Sequence, residues 1–239
     1  MEGTPGKNTG GEKAVSKEEI LGRVHEALSV PSHPEVRELA GNGIRDPRQA
    51  QDFMPPGGES VEERFDHFRK LTEKLKVELL QVPDLDSATE ALLELAKESG
   101  WEKVASHHQE LTDVVVPGLA HEILWTEDKP GTDALESCDA GITGCEALIA
   151  QTGSVLVSGK GSGGRALSVL PPHHVVLATR DQLLPTLLSG YDLLRKKYPK
   201  GLPSFISFIT GASRTGDIER ILFLGAHGPK RLTVILIGN

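Results

Sequence analysis

Cysteine is nearly absent: Cys138 and Cys145 are the two in 239 residues, and they do not form a Cys-x-x-Cys pair. This usage excludes a disulfide framework and suits a reducing cytoplasm, and two thiolates fall short of the four that an iron–sulfur cluster takes. Both read as small buried hydrophobes, so no metal or other cofactor is expected on this chain. Long apolar runs are also missing. Stretches such as 234–237 are far below the ~20 residues needed to cross a bilayer, and residues 1–10 lack the basic end and apolar run of a secretory leader. Positive charge is scarce, with a net charge of −8 and a pI near 5.6. A sequence-independent grip on nucleic acid or anionic lipid therefore has no electrostatic basis. A soluble, cytoplasmic protein is expected, with no nucleic-acid or membrane partner.

What is present is an ordinary globular composition, 38% hydrophobic and 25% charged, enough for one sizeable core. Residues 16–28 place Ile20, Leu21, Val24, Ala27 and Leu28 on one helical face. Residues 30–60 hold five prolines and four glycines, a composition that punctuates rather than packs. The expected organisation is a tail, short helix and linker over 1–60, then one domain over 61–239. Within that domain, 61–82 keeps a helical period through Phe65, Phe68, Leu71, Leu75 and Leu79, with Ser60 and Glu63 spaced as a capping box. Residues 87–99 form a second helix closed by Gly100. The style then changes to short β-branched runs at 103–106, 154–158, 175–179, 204–210 and 232–237, with a helix over 181–197. Strands alternating with helices imply an α/β fold, a largely parallel sheet flanked by helices, behind a helical N-terminal extension.

Four clusters carry candidate chemistry. In the first, Asp139-Ala-Gly141-Ile-Thr143-Gly-Cys-Glu146, Thr143 and Glu146 have capping-box spacing. A helix is expected to start at Thr143, either as plain capping or as an anion site at its free N–H groups. The second, 159–164, matches G-x-G-x-x-G after a strand, with Asp181 about 20 residues on, as a dinucleotide fingerprint requires. It fails because only six residues separate Gly164 from Pro171, too few for a crossover helix; a phosphate-binding P-loop fails on spacing. Arg165, Ser168 and the pair His173-His174 follow. Adjacent strand histidines point to opposite faces, so a shared metal is disfavoured and His174 is the candidate pocket residue. The third, Thr210-Gly-Ala-Ser213-Arg214-Thr215-Gly-Asp217, puts hydroxyls and a cation where a strand is expected to turn into a helix, the composition of an anion cradle. The fourth is the turn Gly225-Ala-His227-Gly-Pro229, where His227 reads as a ligand contact or a turn filler.

In this order the clusters resemble the LUD-domain family, of its lactate utilisation protein C type. The residues that carry the likeness are Asp139-Ala-Gly141-Ile-Thr143, Ala150-Gln-Thr-Gly153, Arg165 with 168–174, Ser213-Arg-Thr-Gly-Asp217-Ile-Glu219 and Gly225-Ala-His227-Gly-Pro229, spanning roughly 135–239. Two positions depart from the family pattern: Gln151 stands where an acid often precedes Thr-Gly, and Gly211-Ala212 stands for Gly-Pro. The resemblance implies a fold similar to the sugar-isomerase, glucosamine-phosphate deaminase and CoA-transferase group. It also implies an accessory role in oxidising L-lactate to pyruvate, beside companion proteins that carry the iron–sulfur clusters. The candidate set for a small anionic or CoA-like ligand is Gly141, Thr143, Arg165, Ser168, His174, Ser213, Arg214, Thr215, Asp217 and His227. Asp139 and Glu146 are the candidate base or nucleophile if the chain is a stand-alone enzyme on a phosphorylated or acyl-CoA substrate. A non-catalytic scaffold for the iron–sulfur subunit is the other alternative.

Overall fold

The computed structural model describes residues 16–29, 54–216, 222–224 and 228–238. The chain divides into two compact units, Met1–Phe53 and Met54–Asn239. The first contains α1, Lys17–Ser29, with an Arg23–Glu19 pair at 2.9 Å one turn apart. The expected Pro/Gly-rich linker lies mostly outside the described residues.

In the second unit Ser60 and Glu63 form the expected capping box and open α2, Val61–Leu75. The helix does not run to residue 82. Lys76 takes a left-handed conformation at φ 57°, and Val77 N–H reaches back to the Thr72 carbonyl at 2.9 Å, closing the end. Residues Glu78–Val82 are instead strand β1: Leu79 does continue the helical period, but pairing with a later strand captures it. Asp84 caps α3, Leu85–Ser99, and Gly100 ends it at φ 65°, as its sequence anticipates.

The remaining strands are β2 Lys103–Ser106, β3 Glu122–Trp125, β4 Ala140–Thr143, β5 Ala147–Ile149, β6 Ser154–Ser158, β7 His173–Thr179, β8 Leu183–Leu184, β9 Ile206–Ile209, β10 Arg214–Gly216, β11 Leu222–Leu224 and β12 Arg231–Ile237. Helices α4 Glu110–Val115, α5 Thr132–Glu136 and α6 Leu187–Lys197 lie among them. The main sheet has the order β1-β12-β7-β4-β2-β3, and every pairing in it is parallel. Two of the expected strands, 154–158 and 204–210, leave it for a second sheet, β8-β5-β6-β9, where β6 runs antiparallel to both neighbours.

Layering follows from the period-2 alternation of strands buried on both faces. Val175, Leu177, Ile235 and Ile237 pack with Leu92 and Leu95 of α3 on one side. Their neighbours Val176, Ala178, Val234 and Leu236 pack on the other side with Phe68 of α2 and Val155 of the second sheet. The outer face of that sheet, Ile149 and Leu156, is covered by Leu194 of α6.

Three expected helix starts are corrected. No helix begins at Thr143, because the hydroxyl and the carboxylate that would cap it are taken by tertiary partners, and 147–149 pairs with β6. The helix expected over 181–197 starts at Leu187. Pro185 forces the residue before it to be extended, so Leu183–Leu184 pairs with β5 and Thr186 becomes the cap. Residues Arg214–Gly216 do not open a helix but pair antiparallel with β11.

Candidate functional site

The path of the chain through the main sheet selects one place. From β2 the chain moves outward to β3, whereas from β4 it goes the opposite way to β7. The carboxyl ends of β2 and β4 therefore face a topological switch point, where open parallel sheets form their ligand crevice. His107 follows β2 there and is buried. Its Nε2 accepts the Gly144 N–H at 3.1 Å, joining the two strand ends. A backbone N–H can only donate, so His107 carries its proton on Nδ1. Burial pushes its pKa down, against the upward pull of Glu127 and Asp113, which keeps it neutral.

Two buried polar atoms next to this bridge, the Gln109 Oε1 and Ser162 Oγ, have no hydrogen-bond partner among the described residues. Gln109 packs so closely on Gly144 that any side chain at that position would collide with its amide. Buried polar atoms are ordinarily satisfied, so unpaired ones at a switch point single it out as the candidate site.

Glu146 supports the loop that carries Ser162. Its side chain is 0% exposed. Oε1 accepts from Ser158 Oγ at 2.5 Å and Tyr198 Oη at 2.6 Å, while Oε2 accepts from Lys197 Nζ at 2.7 Å. Burial pushes the carboxyl pKa up, but the Lys197, Ser158 and Tyr198 bonds outweigh it and the net shift is downward. Ser158 Oγ in turn accepts the Gly161 N–H at 3.0 Å. The glycine loop 159–164 is thus tied to a fixed carboxylate, and Lys160 and Lys197, both near the Tyr198 ring, set two ammonium groups at its rim.

Part of the candidate set gathers at this edge and part does not. Thr143 and His174 are buried and bonded to each other, Oγ1 to Nε2 at 2.9 Å. Gly141 lies inside β4, where any side chain would meet the Leu167 carbonyl. Ser168 is buried, its hydroxyl unpaired among the described residues, and Arg165 is exposed, with one long bond to the Ser204 carbonyl at 3.4 Å. Asp139 sits at the amino edge instead, accepting the Glu102 and Lys103 N–H groups at 2.8 and 3.0 Å and so pinning the start of β2. Ser213 also lies at that edge: its N–H donates to the Pro229 carbonyl at 2.8 Å, beside Lys230, which bonds to Pro172. Arg214 and Thr215 are placed with it on β10 by backbone alone, and Asp217 and His227 lie outside the described residues. Between Ser154, which bonds Thr210, and Ser158, which bonds Glu146, β6 spans about 13 Å at ~3.3 Å per residue. Glu146 of the first cluster and Thr210 of the third thus stand at opposite ends of the second sheet.

His107, Gln109, Ser162, Lys197 and Tyr198 escape the sequence reading. The available signal was a histidine directly after a strand. Among the described residues, no group of three or more His, Cys, Asp or Glu is placed to hold a metal ion. Cys138 and Cys145 are buried free thiols, and burial pushes both pKa values up.

A sheet of this topology with its switch point at β2 and β4 defines an α/β domain, and sequence comparison supplies its family. The LUD domain profile matches residues 65–237, and the chain belongs to that family. It is similar to lactate utilization protein C of Deinococcus radiodurans, 35% identical over 105 residues, 44% of this chain and 49% of that protein. Proteins of the same name from Halalkalibacterium halodurans and Bacillus subtilis are 36% and 31% identical, over 47% and 48% of this chain and 50% of each relative. The chain spans about half the length of these curated relatives. Its fold is like that of a crystal structure of a DUF162 family protein from Deinococcus radiodurans, with a TM-score of 0.61, 23% identity, and coverage of 76% of this chain and 100% of that one.

Proposed function

We propose that this chain acts in lactate utilisation as an accessory subunit of a system oxidising L-lactate to pyruvate. It holds a small anionic or CoA-like ligand at the carboxyl-edge crevice, while partner iron–sulfur proteins carry the electrons. The names of the relatives support the process. The observation that carries the ligand site is the His107–Gly144 bridge across the switch point, with the unpaired Gln109 and Ser162 atoms beside it. Lys160 at the rim favours an anion, the charge of Lys197 being met by Glu146. Glu146 does not suit the role of free base or nucleophile, because both its oxygens are already held by donors, so it serves as the anchor of the loop.

The test has two arms. Deleting the gene in its host should abolish growth on L-lactate as sole carbon source, and the intact chain should restore it. The purified protein, titrated calorimetrically with L-lactate, pyruvate and coenzyme A, should bind at least one of them, and Ser162→Ala should weaken that binding about tenfold, the loss of one good hydrogen bond. Unimpaired growth of the deletion strain would refute the lactate role. Absence of binding to all three would refute the ligand site.

A further inference from the structure

The outer edge of the main sheet carries a surface that this function does not use. β1 pairs with β12 on one side, and among the described residues no strand lies along the other. A groove of about 420 Å³ runs beside it, lined by all of β1 and by Ala91, Glu94, Leu95 and Glu98 of α3. Soluble proteins usually protect such an edge with lysine, proline or a bulge; Glu78-Leu-Leu-Gln-Val82 has neither lysine nor proline, and its register with β12 runs unbroken. Leu80 and Val82 pack toward α3 and Leu79 toward the opposite layer, so a strand laid alongside would present every second residue to α3. There it would meet Ala91, Glu94 and Glu98, which share one flank of the helix by their 3–4 spacing. The alanine leaves room. Both glutamates are exposed and make no ion pair among the described residues, whereas Glu78 at the groove end is held by Arg231 and Thr233.

We propose that this edge docks an extended, basic segment of a partner protein, which adds a strand to β1 and sets lysine or arginine side chains against Glu94 and Glu98. Backbone pairing gives the affinity and the two carboxylates the selectivity. A second copy of this chain fits poorly, because it would bring the same glutamates and two net charges of −8 together.

The probe is a seven-residue peptide of alternating lysine and valine, added to the ¹⁵N-labelled full chain. Chemical-shift changes are expected at 78–82 and 91–98, with none from a glutamate–valine peptide of the same length. The double variant Glu94→Lys, Glu98→Lys, altered only at exposed positions, should melt as the parent does and bind the basic peptide about fivefold more weakly, the value of two exposed ion pairs. Gln81→Pro should remove binding, since proline cannot donate to an added strand. The proposal is overturned if the basic peptide leaves β1 unshifted, if both peptides bind alike, or if the charge-reversed variant binds as tightly as the parent. It is also overturned if the β1 amides that face away from β12 are protected from exchange before any peptide is added, or if the chain dimerises through β1.

Discussion

Glu146 shows how a residue that looks like a catalytic acid can be spent on architecture. Its carboxylate joins the start of β5, the end of β6 and the end of α6 through three donors, in a place where an unpaired charge would be costly. Glu146→Gln keeps an acceptor for the two hydroxyls but turns an amide toward the Lys197 ammonium. A loss of about 1–3 kcal/mol in urea unfolding is expected. Lys197→Met should cost at least as much, because it leaves a carboxylate that is 0% exposed without its counter-charge, whereas Glu146→Gln removes the charge itself. A negligible loss in Lys197→Met would mean that the hydroxyl bonds alone hold the loop. Gln151 makes a parallel case at the departure from the family pattern. Its Nε2 donates to the Pro55 carbonyl at 2.8 Å and its Oε1 accepts the Leu187 N–H at 3.2 Å. A carboxylate there could make only the second bond, so the amide matches its surroundings.

At the scale of elements, the glycine loop 159–164 gives the sharpest test. A side chain at Gly161 would run into the Glu146 carboxylate, which cannot swing aside without losing its donors, whereas one at Gly159 would meet Phe205 at an ordinary 3.5 Å. Gly161→Ala should therefore destabilise by about 1–3 kcal/mol and Gly159→Ala by less than about 1 kcal/mol. Combining Gly161→Ala with Glu146→Ala should cost less than the sum of the two, because the collision is gone; strict additivity would show that the contact is not what matters. The same loop shows what was legible beforehand. Its missing crossover helix could be counted from Pro171, and strands 103–106 and 154–158 carry their identity in short β-branched runs. What could not be read was competition between partners. Leu79 fits a helix until β12 offers a strand, and Thr143 and Glu146 fit a capping box until His174, Ser158 and Tyr198 claim their side chains. The placement of the candidate set was legible only in part for the same reason: Thr143 and Glu146 fall at the edge of the proposed crevice, while Asp139 and Ser213, grouped with them by sequence order, lie at the other end of the sheet.

For the molecule as a whole, the parallel sheet with both faces covered fixes its response to acid. His173 and His174 begin β7 and are buried; His173 Nε2 bonds Thr233, whose own hydroxyl donates to Glu78, so His173 must be the Nε2–H tautomer with an empty Nδ1. Burial first, then a neighbouring positive group, pushes their pKa values down from 6.5, to about 4 for His173 and about 3 for His174. Below pH 6.5 the unfolded chain protonates both rings while the folded one keeps them neutral, so the unfolded state binds more protons and stability falls as the pH drops from 6.5 toward 4. His107, also lowered by burial, acts in the same sense. His108, whose pKa Asp113 raises, opposes it weakly because it is exposed. The lowered carboxylates Glu63, Asp84 and Glu146 lose their contribution only below their ordinary values of about 4, which leaves the interval from pH 6.5 to 5 to the histidines. Each buried ring should contribute a slope that rises from about 0.7 kcal/mol per pH unit at pH 6.5, where the unfolded ring is half protonated, toward about 1.4 kcal/mol per pH unit near pH 5. His173→Gln retains an N–H for Thr233 and removes one titrating ring. Its unfolding free energy, measured in urea from pH 7.5 to 5, should fall less steeply than the parent's by about that amount. A variant that loses stability with acid as steeply as the parent would show that His173 is already protonated in the fold or is open to solvent.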